Sequence, residues 1–334
     1  MWADYFLFLL KAITVLVVVV LVLMIVIRSA KEGHEPARGK LVIARLNRAL
    51  DAVRLRMQQE TLSKKGFKKT LKSVKEEQKK LDKVESDRPK AYALKFKGDI
   101  QASQVEALRQ EVTAILTTAK EGEEVIITIE SPGGSVSGYG LAASQLLRLK
   151  DKGLKLTACV DQVAASGGYM MACVADRILA APFSIVGSIG VLSQVPNIHR
   201  FLKRFDVDVD VLTAGKHKAP ITFMGENTEE GKQKHVDDLN AIHQRFKALV
   251  KLHREELNID DVSEGDFWLA EDALQRKLVD ELMTSDSYLM SLCESTDVYR
   301  VRWQPHKSLE QRIKGASAAI MAVVENRLWQ RRLP

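Results

Sequence analysis

The first apolar segment of the chain is the run from Phe6 to Ile27, in which Lys11 is the one charged residue. A helix of these 22 residues is about 33 Å long, enough to cross the hydrocarbon core of a bilayer. A cleaved signal peptide fits the segment less well, because Asp4 and no basic residue precedes it and no small-x-small cleavage site follows. The pattern therefore predicts a single transmembrane anchor within residues 1–28.

The pattern from Val42 to Leu81 is amphipathic, with apolar residues three and four positions apart and lysines between them. This periodicity predicts one or two exposed helices, broken near Gly66, within a basic linker over residues 29–90. Two interpretations stay open. The linker either lies against anionic lipid or is a solvated spacer that holds the rest of the chain away from the membrane.

From Ala91 onward, short apolar runs alternate with amphipathic stretches. The predicted strands are 91–96, 125–129, 154–160 and 177–180, and the predicted helices are 103–119, 138–150 and 229–257. This alternation indicates an α/β domain over residues 91–300, built from stacked β-α units with site residues at the strand ends. Residues 301–334 form a C-terminal tail, in which the pattern over 309–328 predicts an amphipathic helix.

The net charge of +7 belongs to the linker. Residues 28–90 carry 19 Lys and Arg against 9 Asp and Glu, so the domain is close to neutral and nothing in it suggests a nucleic-acid groove. The basic residues follow the predicted anchor and none precedes it, which favours a cytoplasmic location for the domain. The three cysteines (Cys159, Cys173 and Cys293) form no metal-binding or disulfide pattern, which agrees with a reduced compartment.

Two glycine-rich turns carry the candidate chemistry. Ser166 opens the sequence Ser-Gly-Gly-Tyr-Met-Met-Ala, where a hydroxyl at a helix start is exposed and the Gly167 N–H is available to an oxyanion. The upstream Ser-Pro-Gly-Gly-Ser sequence at 131–135 follows a predicted strand and can supply a second N–H donor. The alternative is that both are ordinary glycine turns at strand ends. Their occurrence together favours a serine nucleophile.

A serine nucleophile needs a base, and the sequence offers two residue types. None of the seven histidines lies in a recognisable base motif, whereas the turn-like segment 214–220 contains Lys216 and Lys218. A lysine in water has a pKa of about 10.4, so it accepts a proton at neutral pH only if it is desolvated. The apolar residues 219–221 permit such an environment.

Four motifs, E-S-P-G-G-S-V, A-A-S-G-G-Y-M-M-A, V-G-S-I-G-V and A-G-K-H-K, occur in this order. Together they resemble the signal peptide peptidase A family, most closely its SohB-type membrane-bound members, over roughly residues 92–282. The resemblance implies a ClpP/crotonase-like fold of stacked β-β-α units and a Ser-Lys dyad.

The resemblance also implies a role for each matching position. Ser166 is the implied nucleophile and Lys218 the implied general base. Ser188 is the implied residue that orients the lysine, and Gly133 and Gly167 are the implied oxyanion donors. His217 stands where the family usually has tyrosine, so Lys216 and His217 stay open as alternatives to Lys218.

The expected activity is that of a membrane-anchored serine endopeptidase, acting on cleaved signal peptides or membrane-associated polypeptides at the bacterial inner membrane. Expected partners are the peptide or protein substrate, the lipid bilayer and further copies of the chain, in a homo-oligomer whose sites combine serine and lysine from neighbouring subunits. No cofactor, metal or nucleic acid is expected. Family analogy partly favours the periplasmic side, so the orientation stays open.

Two other functions are alternatives to a protease. A catalytically silent membrane scaffold of the same fold is disfavoured by the presence of Ser166 together with Lys218. A crotonase-type acyl-CoA enzyme is disfavoured because such enzymes are usually soluble, rely on carboxylate bases and need no serine at this turn.

Overall fold

The computed structural model describes residues 39–81 and 88–305, together with Phe6, Ile13 and Thr14. The rest of the predicted anchor and the predicted tail helix at 309–328 lie outside the described residues. Within the described part, no helix combines the length and the apolar character that a membrane span requires. Residues 41–303 form one unit and residues 1–40 with 304–334 form the other; the first contains the candidate site.

The described residues form ten strands and ten helices. The strands are β1 (Gly39–Arg45), β2 (Lys90–Lys97), β3 (Glu124–Glu130), β4 (Lys155–Val160), β5 (Val163–Ala165), β6 (Arg177–Ala180), β7 (Ile185–Gly187), β8 (Phe267–Leu269), β9 (Glu281–Leu282) and β10 (Asp297–Pro305). The helices are α1 (Leu46–Thr61), α2 (Lys64–Leu81), α3 (Val105–Leu116), α4 (Val136–Asp151), α5 (Gly167–Ala172), α6 (His199–Lys203), α7 (Glu229–His253), α8 (Ile259–Val262), α9 (Ala270–Gln275) and α10 (Ser285–Ser295).

Seven strands form a large sheet in the order β1-β10-β2-β3-β4-β6-β9. The neighbouring pairs from β10 to β9 all run parallel, so their carboxyl ends lie at one edge of the sheet. A smaller sheet has the order β5-β7-β8. Ser131, directly after β3, forms a parallel bridge with Ala164 of β5. The smaller sheet therefore begins where a central strand of the large sheet ends.

The central strands are buried on both faces. In β2, Tyr92, Leu94 and Phe96 belong to the larger hydrophobic core, whereas the alternating Ala91 and Ala93 belong to a smaller core on the opposite face. Helices α3 and α4 contribute buried residues to the larger core, and α10 packs against the smaller one. Because parallel strands enclosed in this way are apolar at successive positions, they are recognisable in the sequence as continuous apolar runs.

The predicted strands and helices of the domain are confirmed, with ends shifted by at most four residues. The linker helices are also confirmed; their break lies at Leu62 and Ser63, where the Ser63 hydroxyl accepts a hydrogen bond from the Gly66 N–H at 3.2 Å. The helix predicted to begin at Val42 is wrong, because 39–45 is strand β1. The chain is thus an α/β protein with a large sheet, which fits the ClpP-like fold that the resemblance implies.

Candidate active site

Two short parallel strands bring Ser166 and Ser188 to neighbouring positions. Ala165, the last residue of β5, is paired with Gly187, the last residue of β7. The next residue on each strand is therefore a serine, and the Ser166 N–H donates to the Gly187 carbonyl oxygen at 2.8 Å. The two serines from separate sequence motifs thus lie side by side at one end of the small sheet.

Both serines have a strained backbone. Ser166 has φ 51° and Ser188 has φ 53°, a left-handed conformation that costs a residue other than glycine about 1–3 kcal/mol. The Ser166 conformation turns the chain sharply from β5 into α5. Strain of this kind persists only where the surrounding structure enforces it, and sharp strand-to-helix turns are typical of serine nucleophiles.

The Ser166 hydroxyl has no hydrogen-bond partner among the residues that the structure describes. The residue is half-buried, and its side chain makes no capping hydrogen bond to α5. Gly167 follows as the first residue of α5, where a backbone N–H has no partner within the helix. A Cβ atom on Gly167 would lie 2.4 Å from Cγ of Tyr139, so only glycine fits between the nucleophile turn and that ring.

The second glycine turn, residues 131–135, lies directly against the first. A Cβ atom on Gly133 would lie 2.7 Å from the Ser166 Cβ and 2.8 Å from the Gly167 nitrogen. Gly133 also has φ +95°, a conformation that glycine adopts without strain. The structure therefore brings Ser166, Ser188, Gly133 and Gly167 together at one place.

The amide of Gly133 is already engaged. Its N–H donates to the Ser131 hydroxyl at 3.1 Å. The following amide, that of Gly134, has no hydrogen-bond partner among the residues the structure describes. The role of Gly133 as an oxyanion donor stays a prediction.

No hydrogen bond joins Lys218 to Ser166 or Ser188 in the part of the chain that the structure describes. Lys218 lies on the irregular segment between α6 and α7, where its N–H donates to the Gly215 carbonyl oxygen at 3.1 Å in a turn. The residue is exposed, and no hydrogen bond or ion pair of its side chain is found in the described part of the structure. Its role as the base stays a prediction.

Lys216 is a poor candidate for the base in this conformation. Its Nζ lies 2.6 Å from a carboxylate oxygen of Glu230. The hydrogen bond and the charge of that carboxylate raise the pKa of Lys216 above its ordinary value and lower the pKa of Glu230. A base must lose its proton, and this ion pair stabilises the protonated form.

Three residues around the serines have no assigned role in the sequence-based prediction. Ser131 and Tyr139 are fully buried, and their hydroxyl oxygens lie 2.5 Å apart beneath the glycine turns. Nε2 of His243, on α7, lies 3.2 Å from the carbonyl oxygen of Ile189, the residue after Ser188. Tyr139 and His243 occupy helix positions where the sequence pattern indicates only packing.

No group of three or more His, Cys, Asp or Glu side chains in the described ranges is arranged to hold a metal ion.

A serine on a strained strand-to-helix turn of an α/β fold, with glycine turns packed against it, is typical of hydrolases that act through a serine nucleophile. The chain belongs to peptidase family S49. The N-terminal domain of that family matches residues 1–146, and the peptidase family S49 domain itself matches residues 148–299. The membership confirms the resemblance seen in the four motifs.

The similar proteins include several that carry the name Probable protease SohB. One, from Haemophilus influenzae, is 53% identical over 218 residues, which cover 65% of this chain and 62% of that protein. Another, from Buchnera aphidicola subsp. Schlechtendalia chinensis, is 41% identical over 300 residues, which cover 86% of this chain and 98% of that protein. This chain is thus similar to SohB proteases both within the domain and along most of its length.

Proposed function

We propose that the chain is a membrane-anchored serine endopeptidase that uses Ser166 and Lys218 as a catalytic dyad. The observation that carries the proposal is the strained Ser166 turn, with Gly167 and the 131–135 turn packed against it, in a member of a peptidase family. The substrates proposed are cleaved signal peptides or other membrane-associated polypeptides, hydrolysed at the bacterial inner membrane. The apolar run 6–27 supports the anchor.

The proposed reaction has two steps. Ser166 Oγ attacks the peptide carbonyl carbon while its proton passes to the neutral amine of Lys218, and the carbonyl oxygen becomes an oxyanion held by backbone N–H groups. Lys218 then gives that proton to the leaving amine, and an ester of Ser166 remains. A water molecule, deprotonated by the same lysine, hydrolyses the ester and restores the serine hydroxyl.

Ser188 suits a role in orienting the lysine. It lies beside Ser166 because both follow paired strand residues, so a lysine that reaches Ser166 also comes within reach of the Ser188 hydroxyl. A hydroxyl oxygen accepts a hydrogen bond from an amine and aims the amine lone pair elsewhere. This position supports the role.

The exposure of Lys218 supports a site that is shared between copies of the chain. Burial of a lysine in an apolar interface disfavours its charged form and so favours the neutral amine that a base requires. The segment that carries Lys218 presents apolar side chains to solvent, among them Phe205, which is 64% exposed, and Leu212, which is 93% exposed. Apolar surface of this kind is typical of protein interfaces. A neighbouring copy that covered the segment would desolvate the lysine.

Mixing two inactive variants tests the shared site. Ser166→Ala and Lys218→Ala proteins are expected to recover part of the wild-type activity when their subunits exchange, because some interfaces then contain both the serine and the lysine. Activity is measured by hydrolysis of a synthetic signal peptide, and exchange is followed separately by energy transfer between labelled subunits. The control is the double variant Ser166→Ala/Lys218→Ala mixed with Lys218→Ala, a mixture that has no intact lysine at position 218 and should stay inactive. Demonstrated exchange without any recovery would mean that each chain holds its own complete dyad.

A further inference from the structure

A buried network of two hydroxyls lies beneath the two glycine turns. Ser131 and Tyr139 are both 0% exposed, and their hydroxyl oxygens are 2.5 Å apart. The Tyr139 hydroxyl also lies 2.8 Å from the carbonyl oxygen of Asp99, and the Ser131 hydroxyl accepts the Gly133 N–H at 3.1 Å. The network thus ends in the backbone of the 131–135 turn.

The hydrogen bonds in this network have one consistent direction. The carbonyl oxygen of Asp99 can only accept, so the single phenolic hydrogen of Tyr139 goes to it. Ser131 must therefore donate its hydrogen to Tyr139, and it accepts from Gly133. Each hydrogen is used once, and hydrogen bonds arranged head to tail strengthen one another in a buried site.

Close packing leaves the network no room to rearrange. A Cβ atom on Gly98 would lie 2.3 Å from both hydroxyl oxygens, and one on Gly168 would lie 2.6 Å from the Ser131 carbonyl oxygen. The Tyr139 ring contacts Gly167, as described above. Tyr139 therefore contacts the nucleophile turn through its ring and holds the 131–135 turn through its hydroxyl.

We propose that Ser131 and Tyr139 are positioning residues for the oxyanion site. The Ser131 hydroxyl, held in place by Tyr139, accepts the Gly133 N–H and so holds the 131–135 turn against Ser166. The Gly134 N–H then stays free to bind an oxyanion together with the Gly167 N–H. One N–H hydrogen cannot serve two acceptors at full strength, so the engaged Gly133 amide is the weaker donor. This inference rests on the proposed function, because it presupposes that Ser166 is the nucleophile.

The variants Tyr139→Phe and Ser131→Ala test the proposal in the full-length protein. Both break the network, and Tyr139→Phe keeps the ring that packs against Gly167. Loss of one oxyanion donor costs about 10²- to 10³-fold in kcat; a displaced donor is expected to cost about 10- to 100-fold, with KM changed less than about twofold. The rate constant for labelling of Ser166 by a fluorophosphonate is expected to fall in parallel, while the final stoichiometry of labelling equals that of the wild type.

Two controls separate positioning from general damage. Tyr92→Phe removes another buried phenol, on β2, whose hydroxyl donates to a Glu123 carboxylate oxygen at 3.1 Å. This variant should keep the wild-type rates of hydrolysis and of labelling. The double variant Ser131→Ala/Tyr139→Phe should lose no more activity than the worse single variant, because both changes break one network.

The proposal is overturned if the folded variants hydrolyse peptide and react with the probe at wild-type rates. It is equally overturned if the loss is in KM or in the stoichiometry of labelling, which would indicate a purely structural role, or if the losses of the two variants multiply. Wild-type protein that is not labelled at Ser166 would instead refute the proposed function, and this outcome is seen before any variant is made.

Discussion

Replacing Ser166 by alanine is expected to abolish peptide hydrolysis and leave the protein folded. The change removes one hydroxyl that makes no capping bond, and alanine has the same Cβ atom as serine, so the strained turn at φ 51° is affected little. Loss of a serine nucleophile lowers kcat by roughly 10⁶-fold. The measurement is hydrolysis of a synthetic signal peptide by the full-length protein in detergent, with products identified by mass spectrometry.

The matched control is Ser144→Ala. Ser144 is an exposed serine on α4 whose hydroxyl bonds to the Gly140 carbonyl oxygen at 2.9 Å, and its loss should leave activity unchanged. If the purified Ser166→Ala protein cleaved the peptide at the wild-type rate, the nucleophile would be another residue.

Replacing Lys218 by alanine is expected to have the second-largest effect. Loss of a general base typically costs about 10²- to 10⁴-fold, and that reduction in kcat is expected here. Lys218→Arg should be as inactive as Lys218→Ala, because a guanidinium keeps its proton at all working pH values and cannot act as a base. The rate of the wild type should rise with pH, since only the neutral amine accepts the serine proton.

The neighbouring side chains serve as controls for Lys218. Lys216→Ala breaks the ion pair with Glu230, and His217→Ala removes the histidine that stands at the family's tyrosine position. Both variants should lose much less activity than Lys218→Ala. A larger loss for His217→Ala than for Lys218→Ala would indicate a Ser-His mechanism and refute the Ser-Lys dyad.

The sequence predicts the parts of the fold that depend on local pattern. The continuous apolar run of β3 and the helical spacing of α3 are visible within a dozen residues, and both elements are confirmed. Strand β1 is not predicted from the sequence because it is partly exposed and lies beside β10, which comes from the other end of the described chain. A pairing between distant segments leaves no local signal.

The candidate site likewise has parts that a local motif predicts and parts that depend on distant segments. Ser166 and the two glycine turns carry local motifs, and the structure brings them together. Ser166 and Ser188 lie side by side only because of the register of β5 against β7. The hydroxyls of Ser131 and Tyr139 come into contact only when α4 packs beneath the turns. Lys218 lies on an exposed segment, and its place in the site stays a prediction.

The most direct test of the central claim is to identify the residue that reacts with a serine-directed fluorophosphonate. The full-length protein is labelled in detergent, digested and analysed by mass spectrometry, with Ser166→Ala treated in parallel. We expect a single adduct per reacted wild-type chain. It should lie on Ser166 and be absent from the variant. The assignment of Ser166 as the nucleophile would be contradicted by an adduct on another residue, by an adduct that persists in Ser166→Ala, or by a folded protein that does not react at all. The last result would favour a catalytically silent scaffold of the same fold.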